Sequence, residues 1–577
     1  MACHAFNVFC RMLLPATATD DQPSSQELPP EILAEIVKEL PWNDVILHVR
    51  KTNRRLNGVS KSLPVWQTLI TRGTKPRPDV ASIIHLERPI ESYTPAELER
   101  IFVRWKSADI GVGVRPARAA ATPHIGPVSN YEQLPWLDER GGFVMGFRPF
   151  EFRDTTTPSH IPPPIIPPSE PRRHRRIYPN TVAQCLHLVE GGRWLLVGTY
   201  EGVLYYDLDA EWPGVAERSL IDQRTPSMIQ RVPAVSMGVD IDRSSPILKF
   251  NLALIFSKAA MEFEVPGRVE VWEVRLQDVT VPANLEEGNS YRLGPGTSLD
   301  QLVATQLTSF SQEPIGRSSG ISICGEVLAY TVVERPLGFV MFTGSVDVVI
   351  NWRTARGSDY PKGVFRSSGS SALISNNLLQ QIHPAVLSFV PLFEVPKDRP
   401  SLVPLPGVKW ERPTFSNSIL CGNTLRLAAI TGSSVYGFII TQVDQPNGLP
   451  RFEFNSVLLV EGEWLAGSKS YKISLSYNHL VIRSEKPSVV YFVRFSWPDD
   501  GGVEQREHGQ RADTGGFRES FVVALELPEG RNLSFDGWNL GHGQWRMYFE
   551  GLDMGSGRIV INQGDYILIY DLGLWRD

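Results

Sequence analysis

The chain has 577 residues, too many for one hydrophobic core, so two or more domains are expected. Apolar residues make up 42% and charged residues 21%, the proportions of a chain that mostly folds. With 57 basic against 63 acidic residues the formal charge is −6, which excludes a globally basic nucleic-acid binder; a nucleic-acid partner is not expected.

Residues 1–25 read as a leader without structure. The opening MACHAFNVFCRMLLPATA is mildly apolar, but Arg11 interrupts it and no charged segment precedes it, so it fits a targeting peptide poorly. Helical spacing appears within 26–72. Ile32, Leu33, Ile36, Val37 and Leu40 recur at one-turn intervals, after Pro29 and Pro30 and with Glu31 at the positive end of the helix dipole. Pro41 ends this helix. Asn43 or Asp44 is placed to cap a second one through Val45, Ile46, Leu47 and Val49, and a third is expected over 53–60 with Leu56 and Val59 inward.

A connector, part helical and part irregular, is expected over 73–150. Within it Thr94, Pro95 and Glu97 spell a capping box, followed by an apolar stripe of Leu98, Ile101, Phe102 and Trp105. Residues 151–180 read as a proline-rich basic linker. The cluster Arg172, Arg173, His174, Arg175 and Arg176 at its end suits plain solvation of an extended spacer, or a nuclear localisation signal or nucleic-acid contact.

From 181 to 577 the pattern changes to short apolar runs around polar or glycine turns. Hairpin-like units start near 194, 251, 321, 372, 419, 473 and 559. A propeller blade takes roughly 40–50 residues, so seven hairpins suit a six- to eight-bladed β-propeller, with tandem β-sandwiches as the alternative. The last interval holds a polar, glycine-rich insertion at 499–516. No Trp-Asp dipeptide occurs, so an orthodox WD-repeat array is not expected. The fold class is thus α+β and multidomain, a small helical unit followed by an all-β domain.

The helical segment carries a motif. Leu28-Pro29-Pro30-Glu31-Ile32-Leu33 opens it, Ile36 and Leu40 continue, and Asp44 precedes Ile46, Leu47 and Val49. RKTNRRLNGVSKSLPVW follows at 50–66. This run resembles the F-box of fungal, basidiomycete-type F-box proteins, and PIESYTPAELERIFVRWK resembles the segment that follows the box in them. Asn53 stands where that family usually has Cys. The resemblance implies a non-catalytic substrate receptor of an SCF-type cullin–RING ubiquitin ligase. The Skp-type adaptor would be bound by Leu28, Pro29, Ile32, Leu33, Ile36, Ile46, Leu47, Val49 and Trp66, and would bridge to the cullin–RING ligase. The β domain would bind an unknown protein substrate.

The residues are compatible with this. So many large apolar side chains exceed what one small core needs, and part of the set should face a partner. Arg50, Lys51, Arg54, Arg55 and Lys61 form either a solvated face or a complement to an acidic adaptor. A non-ligase interaction scaffold, or a β-propeller hydrolase, is the alternative.

No phosphate-binding glycine loop, dinucleotide fingerprint or nucleophile elbow occurs. Asp207, Asp209, Asp347, Asp565 and Asp571 are expected as turn formers or edge protectors rather than a glycosidase carboxylate pair. Trp272, Trp352, Trp464, Trp538 and Trp545 are expected in packing rather than on a stacking platform. Five scattered cysteines and eleven scattered histidines give no metal site or disulfide framework, so no metal and no cofactor is expected. No run reaches membrane-spanning length, no membrane partner is expected, and the compartment implied is cytoplasmic or nuclear.

Overall fold

The structure, a computed structural model, describes residues 28–40, 44–73, 86–111, 173–210, 216–222, 234–256, 267–277, 301–312, 318–333, 345–354, 362–367, 370–375, 378–382, 386–391, 401–404, 414–416, 419–421, 424–431, 434–443, 451–461, 471–476, 479–484, 489–495, 497, 521–526, 550–553, 557–562 and 566–571. The expected leader, Asn43, residues 112–150, the proline-rich stretch up to 172, Asp565, Trp464, Trp538, Trp545 and the 499–516 insertion lie outside these residues. The chain divides into two compact units, Met1–Gly73 with Thr94–Phe102, and Thr74–Tyr93 with Val103–Asp577.

The first unit is helical. Helix α1 (Pro30–Lys38) starts with Pro30 in its first turn, where a missing N–H costs nothing, and carries Glu31 and Lys38 at the dipole ends that favour them. A widened π turn, Val45–Val49, runs into α2 (Arg50–Thr52). Asp44 adopts helical backbone and makes no side-chain cap, because helical geometry already begins at it. Helix α3 (Arg54–Val59) is capped by Asn53, whose side chain accepts the Leu56 N–H at 2.8 Å. Helix α4 (Leu63–Gly73) reaches back to the end of α1, where Arg72 donates to the Lys38 carbonyl at 2.5 Å and pairs with Glu39. Helix α5 (Pro95–Gly111) begins with the expected capping box. The Thr94 N–H donates to Glu97 Oε2 at 2.8 Å, and the Glu97 N–H donates to Thr94 Oγ1 at 3.3 Å. The unit's core is made by Leu33, Val37, Val45, Val49, Leu56, Val65, Trp66, Leu69, Ile70, Leu98 and Phe102.

Among the described residues the second unit is built of seven antiparallel sheets. In chain order they occupy 185–222, 234–312, 318–367, 370–404, 414–461, 471–526 and 550–571, and are numbered blades 1 to 7. Each has four strands in simple succession, except that the first strand of blade 5 is broken into Thr414–Phe415 and Ile419–Cys421, both paired with Thr424–Thr431. The fourth strand of blade 7 is Arg173–Ile177, so the segment before blade 1 completes the last blade. First strands lie side by side: Cys185–Leu188 beside Ala234–Ile241, that beside Ser318–Cys324, and Glu550–Asp553 back beside Cys185–Leu188. The second unit is therefore a seven-bladed β-propeller rather than tandem sandwiches.

The sequence produces this because central strands of blades 1 and 2 are covered on both faces. In Trp194–Thr199, Trp194 and Leu196 pack with blade 2 while Leu195 and Val197 pack with blade 7. In Lys249–Phe256, Leu252 and Leu254 face blade 1 while Ala253 and Ile255 face blade 3. Period-two alternation thus reads as an unbroken apolar run, and both halves of it are buried.

One expected boundary moves. Arg173–Ile177 lies in the stretch expected to be linker, and its pairing with Ile567–Asp571 makes it part of the β domain. Among the described residues no helix is long and apolar enough to cross a membrane.

Candidate functional site

In the helical unit, the residues of the F-box-like motif separate by burial. Leu33, Val49 and Trp66 are core residues, with Trp66 set against Phe102 at 5.9 Å between ring centres, so these three leave the expected adaptor surface. Leu28 and Ile32 are 41% and 47% exposed, on either side of the start of α1, with exposed Pro29 between them. Ile36 and Ile46 are half-buried; the Leu47 side chain lies outside the described residues. On helix α1 Leu33 and Val37 face the core while Ile32 faces out, and Leu28, just ahead of the N-cap Pro29, is exposed as well.

The basic run also divides. Arg50 is buried and forms a bidentate pair with Glu99, at 2.6 and 2.7 Å, while its Nε donates to Ser60 Oγ at 3.1 Å and its guanidinium sits over the Trp66 ring at 5.5 Å. It is a structural residue and belongs to neither expected role. Arg55 donates to the Leu28 carbonyl, which fixes the start of the exposed apolar face. Lys51, Arg54 and Lys61 are exposed.

In the propeller unit, the closing seam between blades 1 and 7 holds a buried charge network. Arg193 Nε and Nη2 meet the two Asp207 oxygens at 3.1 and 2.9 Å, and Arg193 Nη1 donates to Glu87 at 2.5 Å. Asp209 accepts from Arg104 at 2.6 Å and from Arg558 at 2.7 Å. Arg558 also donates to Asp571 at 2.7 Å, and Arg175 donates to the other Asp571 oxygen at 3.1 Å. Four guanidiniums thus meet four carboxylates. The turn at Gly191 and Gly192, at φ 93° and 69°, aims two carbonyls into the network, toward Arg104 at 3.3 Å and Arg558 at 2.5 Å.

Electrostatics follow from this geometry. Burial alone would raise the Asp209 carboxyl, but Arg104, Arg558 and Arg193 together hold it well below the usual range. Glu87 is pushed up, by burial first, with Arg193 opposing and Asp209 and Asp207 adding. Asp207, Asp209 and Asp571 are therefore neither simple turn formers nor a free carboxylate pair. Each is committed to guanidinium groups, and Arg175, from the cluster expected to be solvated, is buried among them. What the network does chemically is fasten Glu87, Arg104 and the strand Arg173–Ile177 to the seam of the ring.

Asp347 sits in Ser345–Asn351, its side chain outside the described residues. Trp352 is buried and Trp272 packs against the core of blades 1 and 2, as expected. Among the described residues, no three or more His, Cys, Asp or Glu side chains are grouped to hold a metal.

No family model and no curated protein matches the sequence. Among solved structures the chain is similar to the AfRom2 CNH domain, at 12% identity over 62% of this chain and 100% of that one, with a TM-score of 0.27. It is also similar to the WD40 domain of SCAP from fission yeast, at 9% identity over 69% of this chain and 84% of that one, with a TM-score of 0.32. The phage phi92 endosialidase gives 9% identity, 66% and 72% coverage and a TM-score of 0.22. The fold stands on its own strand topology.

Proposed function

We propose that the chain is a substrate receptor of an SCF-type cullin–RING ubiquitin ligase, its helical unit docking on a Skp-type adaptor and its propeller binding the target protein. The observation that supports this most is the outward apolar face of α1. Leu28, just before the helix, and Ile32 on it stay 41% and 47% exposed although the same short helix buries Leu33 and Val37, and covering each would contribute about 1 kcal/mol, near half the value for full burial. They occupy the opening positions of the F-box-like motif, and Lys51, Arg54 and Lys61 offer positive charge to an acidic partner.

Such a receptor breaks no bond itself. It holds the target near the charged conjugating enzyme, and the rate gain comes from raised effective concentration. Its place of work is the cytoplasm or nucleus.

The test is capture of purified Skp-type adaptor by the full-length chain carrying L28A, P29A and I32A together. These side chains are exposed, so the circular dichroism spectrum should stay unchanged while capture falls about tenfold or more. Capture equal to that of the unmodified chain, or none by the unmodified chain, contradicts the proposal.

A further inference from the structure

Blades 2 and 3 leave a groove of about 710 Å³ between them. It opens among the turns that join first to second strands in these blades, 242–248 and 325–326, and the turn that follows Ser345–Asn351. Buried Phe250 and Trp352 line it, Trp352 being fixed by its indole N–H on the Gly325 carbonyl at 2.9 Å. Leu307 stands in it 43% exposed.

The charges of the wall do not balance locally. Arg243 pairs with Glu190 at 2.8 Å, Lys249 with Glu273 at 2.8 Å, and Arg353 with Glu326 at 3.3 Å. Asp240 and Asp242 form no ion pair among the described residues. Asp240 accepts only the Gly325 N–H, at 2.6 Å, and Asp242 accepts the N–H and hydroxyl of Ser244, at 3.1 and 2.6 Å. Arg243 and Lys249 reach these carboxylates only at longer range. Burial, and then the charge of Asp242, push the Asp240 carboxyl up, opposed by the Gly325 N–H. An added cation would offset the like charge of Asp242.

We propose that this groove takes the lysine or arginine side chain of an extended peptide segment of the target protein. The proposal rests on the propeller being the target-binding part. The aliphatic stem lies along Leu307, and the head group sits between Asp240 and Asp242, supplying the charge that the wall lacks. A peptide cation fits better than a bare metal ion, since no third ligand side chain converges there among the described residues.

The test is selection of a randomised dodecapeptide phage library on the full-length chain, followed by affinity measurement of the enriched peptides. The expected result is a shared Lys or Arg. Binding should weaken about tenfold or more in D240N/D242N, while E31Q/E35Q, with the same charge change on the helical unit, binds as before. Both Asn side chains keep an oxygen to accept the existing N–H bonds, so the fold should be retained. L307K, at an exposed site, should block the same peptides. Enriched peptides without a basic residue, equal binding by D240N/D242N, or no enrichment overturns the proposal. Adaptor capture by D240N/D242N reports separately on the receptor reading and should be unchanged.

Discussion

At the scale of single residues, Arg558 donates hydrogen bonds to Asp571, Asp209 and the Gly192 and Leu208 carbonyls. It is fully buried, and burial works against its charge, yet Asp209 and Asp571 more than offset this. Asp209 in turn answers both Arg558 and Arg104, so removing its charge leaves two guanidiniums short of an anion. D209N should therefore lower stability at neutral pH by about 3 kcal/mol. The pH dependence has a definite sign. Asp209 is held low in the folded state, so its contribution is present above its ordinary value of 3.8 and is lost as the pH falls toward its folded value. Denaturant unfolding across the acid range should show a shallower slope for D209N than for the unmodified chain; equal slopes would remove Asp209 from the account. This network was only half legible. Gly192-Arg193 and Tyr206-Asp207 bracket one hairpin, and Gly557-Arg558 and Tyr570-Asp571 bracket another in the same way. That repeat marks Arg and Asp for pairing across each hairpin, but Glu87 and Arg104 join from far away in sequence with no local pattern to announce them. Asn53, seen as a departure from the F-box pattern, acquires a reason: it caps α3, which Cys would do poorly.

At the scale of elements, the propeller depends on close approach of first strands. A Cβ on Gly238, in the first strand of blade 2, would lie 2.9 Å from the carbonyl oxygen of Ile321, in the first strand of blade 3. Backbone on the far side cannot yield as a side-chain tip can, so G238A should cost about 1–3 kcal/mol. Thermal unfolding of the full chain measures it, and an unchanged midpoint would contradict the close packing. Six of the seven hairpins were visible in the sequence because each is an apolar run, a short turn and a second run; in blade 2 the two runs, Lys249–Phe256 and Gly267–Gln277, stand further apart. Their uneven spacing has a structural cause. In blades 1, 2 and 7 the visible hairpin is the second and third strands, whereas in blades 3 to 6 it is the first and second. The completing strand was not visible, since RHRRI has the composition of a solvated spacer and is held by the edge of Ile567–Asp571, by Arg175 on Asp571 and the Leu208 carbonyl, and by the buried Ile177. In the helical unit, helix positions followed from apolar spacing and prolines. Which apolar residues face out did not, because Leu28, Ile32 and Leu33 are alike in sequence and are sorted only by packing on α3 and α4.

At the scale of the whole molecule, two units carry separate tasks in the proposed function. The helical unit is wider than the motif that marks it, since Leu98 and Phe102 from the start of α5 fill its core and Glu99 neutralises Arg50. The propeller likewise begins earlier than its first blade, with Glu87 and Arg104 built into its seam. The central claim, that the exposed face of α1 is an adaptor-docking surface, is tested most directly by hydrogen exchange on the full-length chain with and without purified Skp-type adaptor. Added adaptor should slow amide exchange in Pro30–Lys38 and leave the propeller strands unchanged. Unaltered exchange in α1, or protection confined to the blades, would contradict it.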